Sequence, residues 1–493
     1  MAFRRVAFAT IAAAFAACAF DWDAYDPRLA GAGGNAIASS SAGGAMASGS
    51  TASVGTGASG GGNTMMPGEF VCQALSSGWF RDAAAYSDGG FVVVGDFWDT
   101  LSLGGETLVS KGENDGLIAR LGPNCEHVFS VRTGGIENNE GIESVAVTPD
   151  GNVVVVGNFQ ATADFGTFTE TAAGLHDGFV AKLDPNGDFL WVRTFGSTGS
   201  EWGRAVTVDG AGNVYVAGIF EGTIDVGGAP LASVGSADVL VMKLDGFGNH
   251  VWSTSFGSTS WEHARSIEVS AAGQVIVVGQ YRSAMDVGAI AVPHVGARDA
   301  FVVAFDTQGD PAWAHGFSSP DPTSEEYAQS VALRPNGNAV VVGRFDTSIA
   351  FGATQLTSMG GRDIFVAELD SQGDALWARR FGGPGGGDRG NGVAIDASGN
   401  IALVGSLPQS GDLGGGTVGS DTEENVYAAV YDPGGQLLWA RLFSAPGSAY
   451  THAFGVAFAD DGDVLLTGFA DGQIDFGRGP TADRPGFVVR LSN

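Results

Sequence analysis

"AVTVDGAGNVYVAG", residues 205–218, decides the fold. It reads as strand, turn, strand. Small and apolar residues alternate over 205–209, the period-2 signature of a half-buried strand. Asp209 to Asn213 supplies a tight turn, where Gly and Asn tolerate left-handed backbone. A second strand, VYVAG, follows. The pattern returns along the chain. A turn glycine stands at Gly89, Gly151, Gly212, Gly273, Gly337, Gly399 and Gly462, at intervals of 61 to 64 residues. Six residues after each comes another glycine: Gly95, Gly157, Gly218, Gly279, Gly343, Gly405 and Gly468. Between them lie FVVV, VVVV, VYVA, VIVV, AVVV, IALV and VLLT.

The rest of each unit is equally regular. A segment of about 20 residues, often holding Asp-Phe-Gly or a variant (164–166, 475–477), leads to a third strand such as FVAKLD (179–184). A short turn, DPNGD (184–188) or DSQGD (370–374), precedes a fourth strand carrying Trp191, Trp252, Trp313, Trp377 or Trp439. Four antiparallel strands cannot bury both faces alone. Seven such sheets arranged radially bury each face against a neighbour, so the pattern predicts an all-β, seven-bladed β-propeller of four-stranded antiparallel blades. The chain stops at GFVVRLSN (486–493), a third strand with no fourth. The repeat region starts at EFVCQALSS (69–77), a fourth strand with no first three. The two fragments complete one blade and close the ring, which removes open sheet edges.

Three stretches, DGFVAKLDPNGDFLWVRTFG (177–196), AVTVDGAGNVYVAG (205–218) and WARRFGG (377–383), resemble the bacterial seven-bladed β-propeller repeat family abbreviated SBBP. The resemblance covers 69–493 and implies the propeller fold and an exported or surface-anchored setting. It brings no catalytic residues with it.

The ends and the composition bound the cellular setting. Arg4 and Arg5 precede an apolar run, Val6 to Ala17, too short to span a bilayer as a mature helix, as in an export signal. Phe15-Ala16-Ala17-Cys18 resembles a lipobox, which makes Cys18 the lipidation site and 1–18 the leader. The alternative is ordinary cleavage near Ala17. Residues 19–68 are dominated by Gly, Ala and Ser, a composition that cannot bury a core and reads as a disordered tether. A propeller over 69–493 follows. An exported, lipid-anchored monomer at the outer membrane or cell surface is expected. In an oxidising compartment Cys72 and Cys125 are candidates for one disulfide, with two buried free thiols as the alternative. A formal net charge of -30 argues against nucleic acid as a partner.

The long connections between second and third strands, and between blades, share one face, where binding usually resides. Just before each first strand stand Gly78, Glu140, Glu201, Glu262, Glu326, Asp388 and Thr451. A second set, mostly acidic, opens the third strands: Asp115, Asp177, Asp238, Asp299 and Asp363. Carboxylates so placed either brace loops through backbone N–H groups or form a negative rim for cations or a basic or polyhydroxylated ligand. Glu140, Glu201, Trp202, Glu262, His263, Glu326, Tyr327, Asp388 and Arg389 are the candidate binding residues, with Trp79, Trp261, Arg204, Arg265 and His452 in the same loops. Catalytic motifs fail in context: Gly57-Ala58-Ser59-Gly60-Gly61 fits G-x-S-x-G but lies in the tether. No metal site or cofactor is expected, calcium at ADDGDV (459–464) being the one turn to recheck. The rim is nearly symmetric, whereas an enzyme should break symmetry with unlike reactive groups. The expectation is therefore a non-enzymatic binding module for a protein or glycan. A carbohydrate-active lyase or hydrolase and a purely structural envelope protein are the alternatives. Deleting residues 69–77 is expected to lower the melting temperature sharply; an unchanged melting curve would sink the closure model.

Overall fold

The computed structural model describes residues 55–56, 67–136, 140–419, 424–446, 450–481 and 485–493. The expected leader, Cys18 and most of the expected tether lie outside them. No helix occurs among the described residues. Seven sheets of strands a to d, with a innermost, form a β-propeller. Strand a runs Trp79–Ala85, Gly141–Val147, Trp202–Val208, Glu262–Val269, Glu326–Leu333, Arg389–Ile395 and Thr451–Phe458 in blades I to VII. The closing blade takes its fourth strand, Phe70–Ser76, from the other end of the chain. It pairs antiparallel with Gly486–Leu491, from Phe70 opposite Leu491 to Ser76 opposite Gly486. Outside it, Gly55 and Thr56 pair with Gln73 and Cys72.

The sheet order explains the residue pattern. Strand b is buried along its whole length in every blade, as in Val214–Phe220, because sheets cover both its faces. Such a strand reads as a continuous apolar run, not an alternation. The buried apolar side chains fall into seven clusters, one at each junction between neighbouring blades. The b–c segment, read from sequence as a plain connection, contains a short hairpin of its own in blades I to VI. In blade II this hairpin, Thr162–Phe165 with Phe168–Thr171, pairs with the outer strand of blade I. The turns at the other face are fixed by aspartates. Asp209 accepts from the backbone N–H of Ala211 and of Asn213, both at 2.9 Å, with Gly212 at φ 79°.

The second repeat glycine has a steric cause. In every blade strand a carries a β-bulge, at its third residue in blades I, II, III and VI, its fourth in blades IV and V, and its fourth and fifth in blade VII. The bulge thrusts the preceding carbonyl at strand b. A Cβ on Gly95 would sit 1.8 Å from Trp79 O, and one on Gly343 1.8 Å from Tyr327 O. No side chain fits there.

Blades are also joined by one recurring contact near the short-turn face. The strand-d aromatic lies over a left-handed glycine next to it. Phe129 covers Gly187, and Trp191, Trp252, Trp313, Trp377 and Trp439 cover Gly248, Gly309, Gly373, Gly435 and Gly68. At the seventh junction, where the chain ends meet, both partners change. Cys72 stands in the aromatic's place, and Cys125, at φ 60°, in the glycine's. They form a disulfide with a Cα–Cα distance of 5.9 Å. Arg490 reinforces the seam, donating to Gly89 O at 2.8 Å and Pro123 O at 2.9 Å. The same arginine binds Asp461 and, at 2.8 Å, Asp463, so the carboxylates of the ADDGDV turn hold a guanidinium.

Cross-linking positions 53 residues apart removes unfolded-state freedom worth about 4 kcal/mol. Cys72→Ser is therefore expected to lower thermal stability, by up to ~4 kcal/mol. The double variant Cys72→Trp/Cys125→Gly should regain part of that loss by restoring the ring-over-glycine contact. A double variant no more stable than the single one, in thermal melts, would refute the equivalence of the two junction types.

Candidate functional site

The carboxylates singled out from sequence are braces inside the long-loop face, not a rim upon it. Glu201 is fully buried and accepts from Ser197, N–H at 2.9 Å and hydroxyl at 2.7 Å. Glu262 binds Ser258 in the same way, both bonds at 2.6 Å. Glu326 accepts from Ser319 N–H at 3.3 Å and from the Ser324 hydroxyl, and Asp388 from Gly383 N–H at 2.7 Å. Each ties down the loop that enters its blade. The strand-c aspartates fasten the b–c loops: Asp299 accepts from Val295 N–H at 2.7 Å and Gly296 N–H at 2.9 Å. Burial removes the solvation that favours ionisation. It pushes Glu262 and Asp388 up to about 7, Glu326 to about 8 and Glu140 to about 9, the last helped by Asp115. Of the two readings left open by the sequence, the geometry is that of loop braces: Glu201, Glu262, Glu326 and Asp388 are buried and accept from the loops beside them.

The bulges make a different ring. Because a bulged residue is extra to the ladder, it re-aims its side chain. Here the bulged residues line the central channel: Arg81, Glu143, Arg204, Arg265, Gln329, Asn391 and Phe454 in blades I to VII. In blades II to VI they lie three residues after Glu140, Glu201, Glu262, Glu326 and Asp388. The channel encloses about 620 Å³. Glu143 stands between two guanidiniums, 3.7 Å from Arg81 and 3.6 Å from Arg204. Arg265 donates to Gln280 Oε1 at 3.1 Å, and Arg81 to Asp96 at 2.8 Å.

Of the other residues singled out from sequence, His263 and Trp202 contact the ring through Arg204. Arg204 contacts His263 Nε2 at 2.9 Å, and Arg389 contacts His452 Nε2 at 3.2 Å. A guanidinium only donates, so both imidazoles accept through Nε2 and are neutral. Burial, then the neighbouring arginines, hold both histidines well below their usual range. Trp202 is buried beside His176, ring centres 5.3 Å apart, with the Arg204 guanidinium 5.8 Å from its ring. Tyr327 is fully buried with Arg344 over its ring at 4.2 Å, and its hydroxyl accepts from Arg298 and donates to Glu325 at 2.9 Å. Sequence reasoning missed Arg81, Glu143, Gln329, Asn391 and Phe454. Their signal is a position that changes from blade to blade inside a unit that otherwise repeats.

Residues 376–406 match the family model of the SBBP beta-propeller repeat. They span strand d of blade V and strands a and b of blade VI. An uncharacterized WD repeat-containing protein of Acanthamoeba polyphaga mimivirus is 22% identical over 417 residues, covering 68% of this chain and 30% of that protein. This chain therefore spans less than a third of that relative's length. Among solved structures, the polysaccharide lyase Uly1 aligns over 84% of this chain and 90% of its own, with 10% identity and a TM-score of 0.45. A gluconolactonase from Xanthomonas campestris aligns over 77% and 90%, with 12% identity and a TM-score of 0.34.

The expectation that the protein is not an enzyme is withdrawn. The expectation rested on a symmetric rim, and the channel is lined asymmetrically, by three arginines, a glutamate, two amides and a phenylalanine.

Glu140, whose two carboxylate oxygens are buried without a hydrogen-bond partner among the described residues, provides a test of what burial does to such an acid. A group neutral in the fold and ionised when unfolded contributes stability below its ordinary value of 4.5 and loses it as pH rises through about 9. Glu140→Gln should thus raise the melting temperature at pH 8 and change it little at pH 4. A lowered melting temperature at pH 8 would show an ionised carboxylate holding the loop.

Proposed function

We propose that the protein is a recognition module of the cell envelope that grips a protein or glycan partner at the long-loop end of its channel. One observation carries the reading: a bulge in each of the seven blades aims side chains into one cavity, three arginines, a glutamate, two amides and a phenylalanine among them. Rigid strands, not loops, hold these side chains, so their geometry costs little entropy on binding. Export and lipid anchoring at Cys18 fit a chain whose ring is sealed by a disulfide, since such bonds persist in oxidising compartments.

The test compares the full chain with a Gln329→Ala/Asn391→Ala variant of equal melting temperature. Both are immobilised and exposed to envelope polysaccharide and envelope protein extract. A component held by the parent and released by the variant is the expected result. Equal retention by both would remove the channel mouth from the function.

A further inference from the structure

We infer that the channel mouth takes a compact polyhydroxylated carboxylate, a sugar acid, with its carboxylate on the arginine arc and its hydroxyls toward the amides. The inference rests on the reading of the mouth as the binding site and adds the ligand's chemistry.

The ring is divided into arcs. Blades I, III and IV contribute Arg81, Arg204 and Arg265, blades V and VI contribute Gln329 and Asn391, and blade VII contributes Phe454. Three guanidiniums converge within a chain that has 54 Asp and Glu against 24 Lys and Arg. Composition therefore does not explain them. The single ring acid, Glu143, is shared between Arg81 and Arg204. The like charges are close enough to matter. Burial first, and also Arg265 and Arg81, bring Arg204 down to about 10 in spite of Glu143.

The neutral acceptors belong to Arg204 and Arg265, whereas Arg81 is paired with the Asp96 carboxylate at 2.8 Å. His263 accepts from Arg204 as a neutral imidazole. Gln280 accepts from Arg265. An imidazole or amide acceptor orients a guanidinium without cancelling it, as a carboxylate would. Oriented guanidinium forks recognise carboxylates in a bidentate manner. Across the channel, Gln329 and Asn391 offer amide groups, each able to donate and accept, which suits hydroxyls. Asn391 already spends a donor on Ala453 O at 2.7 Å.

Acidic side chains also line the channel. One residue further along strand a, Asp82 lines the same cavity, held by Ala83 N–H at 2.8 Å, Val145 N–H at 3.0 Å and the Ser144 hydroxyl at 2.9 Å. Glu268 and Asp460 line it as well. A volume of about 620 Å³ suits a small molecule or a chain end.

The experiment is calorimetric titration of the full chain with D-gluconate, D-glucuronate, D-galacturonate and D-glucose, at low and high salt. Saturable binding of at least one of the three acids is expected, with D-glucose at least tenfold weaker and the acid weakened by salt. Arg265→Gln, which keeps a polar side chain at the bulge, should lose tenfold or more for the acid. Gln329→Ala/Asn391→Ala should weaken the acid but leave the binding of acetate unchanged. Melting curves establish that each variant is folded. Equal binding of acid and D-glucose, or binding insensitive to Arg265→Gln, overturns the inference. So does failure of all three acids. In that case an envelope component still lost by the amide variant leaves the mouth as a binding site for another class of ligand. Loss of both results rejects the site itself.

Discussion

The structure depends on one close approach, a strand-a carbonyl lying where a side chain on strand b would be. At Gly405 a Cβ would stand 1.9 Å from Arg389 O. The same intrusion occurs in each blade, and only glycine permits it. It lets strand a bulge, and the bulge turns one residue per blade into the channel. The repeat that identifies the fold and the ring that lines the site therefore have one origin. A methyl group at any of these glycines would clash with backbone, which has no rotamer with which to yield.

The second organising contact is the aromatic ring over a left-handed glycine at each junction. Six junctions use it, and the seventh uses a disulfide. The exchange falls where it matters most. Elsewhere the two blades are joined by continuous chain, so the packing contact is intramolecular over a short path. At the seam the first described strand of the propeller must find the last. A covalent bond there constrains the unfolded chain in a way that no packed ring does. Cys125 accepts an unfavourable φ of 60° for it.

Much of this was legible in sequence. Paired glycines six residues apart marked the a–b hairpins, and the unmatched fragments at 69–77 and 486–493 marked the seam. Cys72 was recognisable as standing in a tryptophan's place. Cys125 in a glycine's place was equally present in LGPNCEH (121–127), beside LDPNGDF (183–189). The site was less legible because regularity drew attention to the wrong residues. Glu201, Glu262 and Glu326 recur because a loop must be tied in every blade. Recurrence then signals structure, and change at a fixed repeat position signals recognition. Arg265, Gln329, Asn391 and Phe454 occupy one such position. Burial could not be read from sequence either, and burial decides whether a carboxylate is a charge or a neutral brace.

A bulged residue belongs to no cross-strand pair, so its identity is almost independent of the sheet that presents it. Each blade thus offers one letter of a seven-letter word, spelled around the axis of the propeller. The letters can be rewritten one at a time without repacking the seven cores. Gene duplication supplies the letters already in register, and divergence need only edit them. A scaffold of this kind separates the inheritance of its shape from the inheritance of its specificity.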